Sequence, residues 1–191
     1  MIEFICVSKK FDGDKVVENF SLRVADGEKV VLMGESGGGK TTLLNIASGL
    51  IKPDSGEIKV DGKLAYMFQE PRLLPTFNVK DNVMAVLKSK NRDALADKCV
   101  SLVELDAHAD KFPAELSGGM AQRVAFARFL AFAEENCASL LLLDEPFSAL
   151  DEDMRDRMIA ILLEFAKDKS IIYVTHNSGE AEKISETVIK L

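Results

Sequence analysis

Few residues of this 191-residue chain are suited to disulfides or transition-metal sites, because it has only three cysteines and two histidines. Cys6, Cys99 and Cys137 are widely separated and include no C-x-x-C pair. A zinc site normally needs four ligands, and only His108 and His176 are available to help the cysteines. We therefore expect the cysteines to be small apolar residues in a reducing compartment, without a site of this kind.

Long apolar runs and surplus positive charge are also missing. No stretch approaches the roughly 20 apolar residues that a membrane-spanning helix needs, and the first residues lack a basic region followed by an apolar block. The chain has 24 Lys and Arg against 31 Asp and Glu, a net charge of −7. Because nucleic acids are held by a surplus of Lys and Arg, this balance argues against a nucleic-acid partner. We expect an intracellular protein that does not span a membrane.

The most informative stretch reads G-E-S-G-G-G-K-T-T and follows the apolar run at 30–33. It fills the G-x-x-x-x-G-K-[ST] pattern of a phosphate-binding loop. Glycines let the backbone curl so that its N–H groups point at phosphates, and the helix that follows adds the positive end of its dipole. The sequence therefore predicts a nucleotide site formed by Gly34, Glu35, Ser36, Gly37, Gly38, Gly39, Lys40, Thr41 and Thr42.

Two side chains of this loop have distinct expected roles. Lys40 supplies a mobile positive charge for the β- and γ-phosphates and takes part in catalysis. Thr41 offers its hydroxyl to Mg²⁺, which neutralises charge during phosphoryl transfer. The alternative is a glycine-rich turn that ends in Lys-Thr by chance.

Short β-rich runs, broken by Asp-Gly and Ser-Gly turn pairs, open the chain. They predict an antiparallel sheet that leads into a core strand, and they lie at 2–7, 16–24, 29–33, 57–60 and 64–68. A helix is expected at 42–48, with Gly49 as its stop. Amphipathic spacing within 81–106 predicts a helical subdomain.

Helices and strands alternate in the rest of the chain. The pattern predicts a helix at about 120–133, a strand at 140–143 that is buried on both faces, a helix at about 151–167 and a strand at 170–175. Such alternation produces a parallel sheet with crossover helices. We therefore predict an α/β fold with a mostly parallel core sheet.

Polar residues follow three apolar runs, at the strand ends where ligands bind in an α/β sheet. Asp144 would hold Mg²⁺, and Glu145 would orient or deprotonate a water behind the γ-phosphate. Gln69 would complete the Mg²⁺ shell, and His176 would contact the γ-phosphate or the attacking water. The alternative for each is a polar residue at the point where a strand reaches the surface.

Residues 116–123 read L-S-G-G-M-A-Q-R and make the pattern specific. The phosphate loop and a glutamine come before this segment in the chain. After it come an apolar run that ends in Asp-Glu-Pro, the stretch Ser-Ala-Leu-Asp and a histidine at the end of a strand. In this order of motifs the chain resembles the ATP-binding cassette (ABC) ATPases, which have the P-loop NTPase fold. The segment itself predicts a second anion site, because Ser117 would cap a helix and two glycines allow close approach.

The resemblance implies that two copies pair head to tail around ATP. Ser117, Gly118 and Gly119 of each copy would close on the γ-phosphate held by the other. Asp151 would lie in the segment that crosses this interface. In such ATPases an aromatic ring before the loop stacks on adenine, and here Phe11 has that place, the alternative being a core phenylalanine.

The stretch Q-E-P-R-L-L-P at 69–75 resembles importer cassettes of the nitrate, sulfonate, taurine and bicarbonate group. In that group this region and the helical subdomain receive a helix of a membrane permease. Glu70–Phe77 would be the docking region, with Leu73, Leu74 and Phe77 as its apolar surface or, alternatively, as core residues. The implied protein powers import of a small anion, a sulfonate or a similar solute, at the cytoplasmic face of the membrane, with a solute-binding protein as indirect partner.

The resemblance covers essentially the whole chain and implies one ABC ATPase domain, 1–191, without a C-terminal regulatory domain. Its core would comprise 1–69 and 134–191, and its helical subdomain about 70–133. The alternatives are a soluble ABC ATPase, for example of the iron–sulfur assembly type, and an exporter-type cassette. A kinase or a GTPase would share only the phosphate loop.

Overall fold

The structure is a computed structural model that describes residues 1–35 and 37–191. The chain forms two compact units. Unit 1 consists of Met1–Tyr66, Ser139–Glu145 and Ala166–Leu191, and unit 2 consists of Met67–Ala138 and Pro146–Phe165. The predicted bounds of a nucleotide-binding core and a helical subdomain stay a prediction.

Strands and helices alternate along the chain after an opening hairpin. In chain order they are β1 (Ile2–Phe11), β2 (Asp14–Val24), β3 (Lys29–Met33), α1 (Lys40–Ala47), β4 (Ser55–Val60), β5 (Leu64–Met67), α2 (Val79–Met84), α3 (Arg92–Leu102), α4 (Gly118–Glu135), β6 (Leu140–Asp144), α5 (Glu152–Phe165), β7 (Ser170–Val174), α6 (Ser178–Ile184) and β8 (Val188–Lys190). Short 3-10 turns at Asp106–His108 and Pro113–Glu115 lie between α3 and α4. The expected helical stretch at 81–106 is thus two helices, and α6 and β8 are additions to the predicted elements.

The opening strands form an antiparallel sheet, as the turn pairs predict. β1 pairs antiparallel with both β2 and β4. Ile2, Phe4 and Val7 of β1 are buried, so the strand presents apolar side chains to the core of unit 1. The ring of Phe4 meets that of Phe20 edge to face, with 5.4 Å between ring centroids.

The core sheet of unit 1 has the strand order β5-β6-β7-β3-β8. β3 pairs in parallel with β7 and β8, and β6 pairs in parallel with β7. Residues 140–143 are all buried, which explains why this strand is a continuous apolar run. Leu43 and Leu44 of α1 belong to the same buried cluster as alternate residues of β3, β6 and β7. Because the strands are parallel, the ends of β3, β6 and β7 bring their following residues to one edge of the sheet.

Unit 2 is mainly helical, and α2, α3 and α4 pack against one another. The ring of Phe126 on α4 meets that of Phe147 edge to face, with 5.0 Å between centroids. Met158, Ile159 and Leu162 give α5 its buried face. Among the described residues, no helix is both long and apolar enough to cross a membrane.

Candidate functional site

The phosphate loop links β3 to α1 and depends on two glycines. Gly37 and Gly39 have φ angles of +87° and +83°, a left-handed conformation that glycine adopts without strain. A Cβ atom on Gly39 would lie 2.5 Å from the carbonyl oxygen of Val16, so a side chain does not fit there. Gly38 N–H donates to the Glu35 carbonyl at 3.1 Å. Ser36, which the motif assigns to this loop, lies outside the described residues.

The buried side chain of Lys40 reaches back across this loop. Its Nζ donates to the carbonyl oxygens of Gly34, at 2.8 Å, and Glu35, at 2.7 Å. Lys40 and Thr41 also begin α1, whose positive dipole end points towards the loop. The loop therefore combines a fixed cation with the start of a helix, which suits a polyphosphate.

Thr41 and Asp144 meet at the end of β6. The Asp144 carboxylate, which is buried, forms hydrogen bonds with the side chains of Thr41 and Tyr66. Burial raises the pKa of Asp144 above its ordinary value, and the hydrogen bond from Thr41 partly opposes that rise. The neighbouring charge of Glu145 raises the pKa further, whereas Lys40 lowers it. A buried carboxylate in these surroundings would be stabilised by an added cation.

Glu145 and His176 meet at the ends of β6 and β7. His176 Nδ1 lies 3.2 Å from Glu145 Oε2. Glu145 has φ +44°, and its N–H donates to the Val174 carbonyl at 2.9 Å. A left-handed backbone at a non-glycine residue costs about 1–3 kcal/mol and persists only where its surroundings hold it. Unit 1 thus brings Thr41 to Asp144, and Glu145 to His176.

The predicted second anion site opens α4 in unit 2. Ser117 Oγ accepts a hydrogen bond from Met120 N–H at 3.2 Å and caps the helix. Ser117 and Gly118 are exposed, and a Cβ on Gly118 would meet open space. A Cβ on Gly119 would lie 3.3 Å from the Ala149 carbonyl oxygen, so Gly119 packs closely on the segment that ends at 151.

Asp151 and Gln69 have roles within unit 2 that the sequence did not predict. Asp151 Oδ1 accepts a hydrogen bond from Met154 N–H at 2.9 Å and thereby caps α5. The carbonyl oxygen of Gln69 lies 3.5 Å from Gln122 Nε2, which also donates to the Pro146 carbonyl at 2.6 Å. Gln122 therefore ties α4 to Pro146, the residue that follows Glu145 in the chain.

Phe11 is partly accessible, with 43% of its surface exposed at the end of β1. Lys9 Nζ lies 5.5 Å from the centre of its ring. The exposed ring does not belong to the core, so the core alternative is disfavoured. Stacking on adenine stays a prediction.

Apolar side chains are exposed in and beside the predicted docking region. Leu74, Phe77 and Phe112 expose 41%, 39% and 47% of their surfaces, whereas Leu73 is half-buried. Two backbone hydrogen bonds, from Val79 N–H to the Lys111 carbonyl and from Lys80 N–H to the Ala109 carbonyl, place the segments 77–80 and 109–112 side by side. We call Leu74, Phe77 and Phe112 the apolar patch of unit 2.

Asn82, which the sequence did not single out, holds the backbone beneath this patch. Its Oδ1 accepts from Leu74 N–H at 2.8 Å, and its Nδ2 donates to the carbonyls of Leu74, Phe77 and Asn78 at 2.8 to 3.1 Å. Asn82 is fully buried. A polar residue on the apolar face of α2 was the available signal, because a buried amide needs partners.

Comparison with known proteins follows the same motifs. The model of the ABC transporter family matches residues 17–148. The aliphatic sulfonates import ATP-binding protein SsuB 1 of Nocardia farcinica is 43% identical over 187 residues, covering 96% of this chain and 75% of that protein. The probable sulfate/thiosulfate import ATP-binding protein CysA of Chlorella vulgaris is 35% identical, covering 97% of this chain and 84% of that protein.

The fold is likewise similar to that of a solved protein. The ATP-binding cassette MJ0796, solved as a dimer in a post-hydrolysis state with ADP and phosphate bound, superposes with a TM-score of 0.90 at 30% identity. The match covers 100% of this chain and 94% of that one. The predicted family and the predicted α/β fold are both confirmed. The chain therefore belongs to the ABC transporter family as one of its ATP-hydrolysing cassettes.

Proposed function

We propose that the chain is the ATPase subunit of an importer that moves an aliphatic sulfonate or a similar small anion through a separate membrane permease. The identity of 43% over 96% of the chain to a sulfonate import protein carries this proposal. The relatives described above are import proteins, which favours this role over the exporter-type and soluble alternatives.

The phosphate chain of ATP would lie in the loop of unit 1. Lys40 would turn its ammonium group from the carbonyls of Gly34 and Glu35 to the phosphates, which are stronger acceptors. Backbone N–H groups of the remaining loop residues would surround the phosphates. These residues are Ser36, which lies outside the described residues, and Gly37, Gly38, Gly39, Thr41 and Thr42. Phe11 would stack on adenine through its exposed ring.

The oxygen atoms of Thr41 and Asp144 fit a magnesium site. A hydroxyl and a buried carboxylate that already contact each other are hard oxygen ligands, and Mg²⁺ usually takes one or two carboxylates together with substrate phosphates. Gln69 would add its amide oxygen. A bound Mg²⁺ supplies positive charge next to the phosphate oxygens.

Glu145 would orient and deprotonate the attacking water, because its carboxylate lies at the strand end beside His176. His176 would hold that carboxylate in place through Nδ1 and contact the γ-phosphate or the water through its other ring nitrogen. Asp144 stays with the metal, so the two adjacent carboxylates have separate tasks.

A second copy of the chain would complete the site. The exposed Ser117 and Gly118 lie at the start of α4, where N–H groups and the positive end of the helix dipole reach the surface. We place the γ-phosphate of the partner copy against them, with Gly119 and Asp151 at the same interface. The dimeric state of the similar solved cassette supports this arrangement.

The apolar patch of unit 2 would receive a short helix of the permease, which would hold the subunit at the cytoplasmic face of the membrane. Leu74 and Phe77 lie in Glu70–Phe77, and Phe112 extends the patch beyond the predicted region. Exposed aromatic and aliphatic side chains grouped together are typical of protein interaction sites. An extracytoplasmic solute-binding protein would deliver the anion to the permease.

Deletion of the gene, with growth on an aliphatic sulfonate as sole sulfur source, tests the function. We expect growth to fail and to be restored by the wild-type chain but not by Glu145→Gln, while growth on cysteine stays normal. Normal growth of the deletion strain on sulfonates, with unchanged sulfonate uptake, would contradict the proposal.

Co-purification with the permease tests the docking surface. Phe77→Glu should abolish it and leave ATPase activity of the isolated subunit within about twofold, because Phe77 is an exposed side chain that is not assigned to the nucleotide site. Leu50→Glu is the control, since Leu50 is also an exposed large apolar residue but lies in unit 1. Equal loss of the permease in both variants would contradict docking at the patch.

A further inference from the structure

A partly buried arginine of α4 holds the loop that follows Gln69. Arg128 Nη1 donates to the Arg72 carbonyl at 3.0 Å, and its Nη2 donates to the Pro71 carbonyl at 2.5 Å. All of these residues belong to unit 2. We call residues 68–72 the glutamine loop.

Both acceptors of Arg128 are backbone carbonyls. Burial lowers the pKa of Arg128, but a guanidinium remains charged in proteins, so its hydrogen bonds are charge-assisted. The planar fork of an arginine fixes two acceptors at once, which a flexible lysine does not do. The contact therefore sets the path of the backbone at Pro71 and Arg72, whatever side chains stand there.

The glutamine loop has a conformation that needs such support. Arg72 has φ +46°, a left-handed backbone at a non-glycine residue, which persists only where neighbouring groups hold it. Its guanidinium lies 4.3 Å from the ring centre of Phe68, at the other end of the loop. Phe68 and Arg72 thus close the loop, and Arg128 attaches it to α4.

We propose that Arg128 is a positioning residue for Gln69. By fixing the backbone at Pro71 and Arg72, it sets the position and the orientation of the Gln69 side chain. Gln122, on the same helix and 3.5 Å from the Gln69 carbonyl, supports the first end of the loop. The inference rests on the proposed role of Gln69 in the magnesium shell. Helix α4 has the exposed Ser117 at its start and holds the glutamine loop further along.

A double-mutant cycle with Arg128→Met and Gln69→Ala tests this inference. Loss of an orienting partner typically costs about 10- to 100-fold in activity, so each single variant should lower kcat by at least about tenfold, with KM for ATP within twofold. If Arg128 acts through Gln69, the double variant should be no more than about twofold slower than Gln69→Ala. Multiplied losses, or a normal kcat in Arg128→Met, would overturn the inference. A normal kcat in Gln69→Ala would instead overturn the proposed role of Gln69.

Arg123 offers a matched control on the same helix. Its Nη1 donates to two successive backbone carbonyls, of Val103 at 2.9 Å and Glu104 at 3.0 Å, away from the glutamine loop. Arg123→Met should lower the unfolding midpoint about as much as Arg128→Met but keep kcat within about twofold. Equal losses of kcat in the two variants would mean that both are merely structural.

Hydrogen exchange provides a readout that does not depend on activity. Arg128→Met should speed amide exchange in 68–76 of the full chain without nucleotide, and Arg123→Met should speed it in 101–106. Arg128→Lys, which restores a single charged donor, should recover part of both kcat and protection. Unchanged exchange in 68–76 in Arg128→Met would overturn the inference even if kcat fell.

Discussion

His176 Nδ1 lies 3.2 Å from Glu145 Oε2, and this contact joins the ends of two neighbouring parallel strands. The strand ends therefore hold the histidine and the carboxylate next to each other. With Nδ1 directed at Glu145, the other ring nitrogen is left to meet a phosphate or a water. Because neighbouring strand ends hold the two groups in one arrangement, the cost of organising the site is reduced.

Glu145→Gln should leave ATP binding intact and lower hydrolysis by about 100-fold or more, because an amide cannot accept the proton of the attacking water. ATP that is bound but not hydrolysed should hold two copies together. Phosphate release measures the first effect, and size-exclusion chromatography in saturating ATP measures the second. A variant that stayed monomeric under those conditions would contradict the shared site.

Lys40→Met should weaken ATP binding by about tenfold or more, which corresponds to at least about 1.4 kcal/mol. The substitution removes the cation that contacts the carbonyls of Gly34 and Glu35 and that we direct to the phosphates. Titration with a fluorescent ATP analogue measures the affinity. Lys52→Met, at an exposed lysine of unit 1, is the control and should bind as the wild type does.

Ser117→Ala should affect stability and turnover by separate routes. Loss of the cap on α4 should cost about 1 kcal/mol of unfolding free energy, measured by urea denaturation. Turnover should collapse, while the affinity of a single chain for ATP stays within about twofold. Ser117→Thr keeps a capping hydroxyl and should restore the stability; failure to do so would argue against the cap.

Cys99 should resist thiol reagents until the chain unfolds. Burial, assisted by the charge of Glu134, raises the pKa of Cys99 from 9.0 to about 11, so its thiolate is about 100-fold scarcer at pH 8. The exposed Cys6 and Cys137 should react readily with a chromogenic disulfide reagent. Reaction of all three at one rate in the native protein would show that Cys99 is accessible.

Because the pKa of Cys99 is raised in the folded chain, we expect the free energy of unfolding to depend on pH. Well below pH 9 the thiol is protonated in both states and contributes almost no slope. Between about pH 9 and 11 the unfolded chain releases the proton more readily than the folded one, so the free energy of unfolding should fall as pH rises. Cys99→Ala should remove this part of the slope, which urea titrations across the range measure.

Asn82→Ala should destabilise unit 2 by about 2 kcal/mol, because it removes the side-chain partner of the Leu74 N–H and of the Phe77 carbonyl. Limited proteolysis should become faster within 73–78. Asn136→Ala is the control, since the Asn136 side chain donates a single hydrogen bond, to the Phe132 carbonyl, and its loss should cost about 1 kcal/mol. Equal costs in the two variants would contradict the special role of Asn82.

Local patterns made much of the fold and site predictable. The phosphate loop and the strand at 140–143 are encoded by neighbouring residues, and the contacts of Asp144 and Glu145 follow from the edge where parallel strands end. Asn82 and Arg128 were not predictable in this way. Their partners are backbone groups, of the residues just before α2 for Asn82 and of the glutamine loop for Arg128, and a backbone partner does not depend on the residue type at its position. Short elements such as α6 and β8 carry too few residues for a periodic pattern.

The division of unit 2 into two stretches limits how the protein can be dissected. A fragment of residues 67–138 would lack Phe147, which covers the ring of Phe126, and the Pro146 carbonyl that pairs with Gln122. It would present a bare aromatic face and an unpaired amide, a combination that favours aggregation. Binding surfaces of this unit should therefore be mapped by point substitution in the intact chain rather than with an excised fragment. Interactions detected with a display or two-hybrid fragment that ends at residue 138 would reflect misfolding of the fragment.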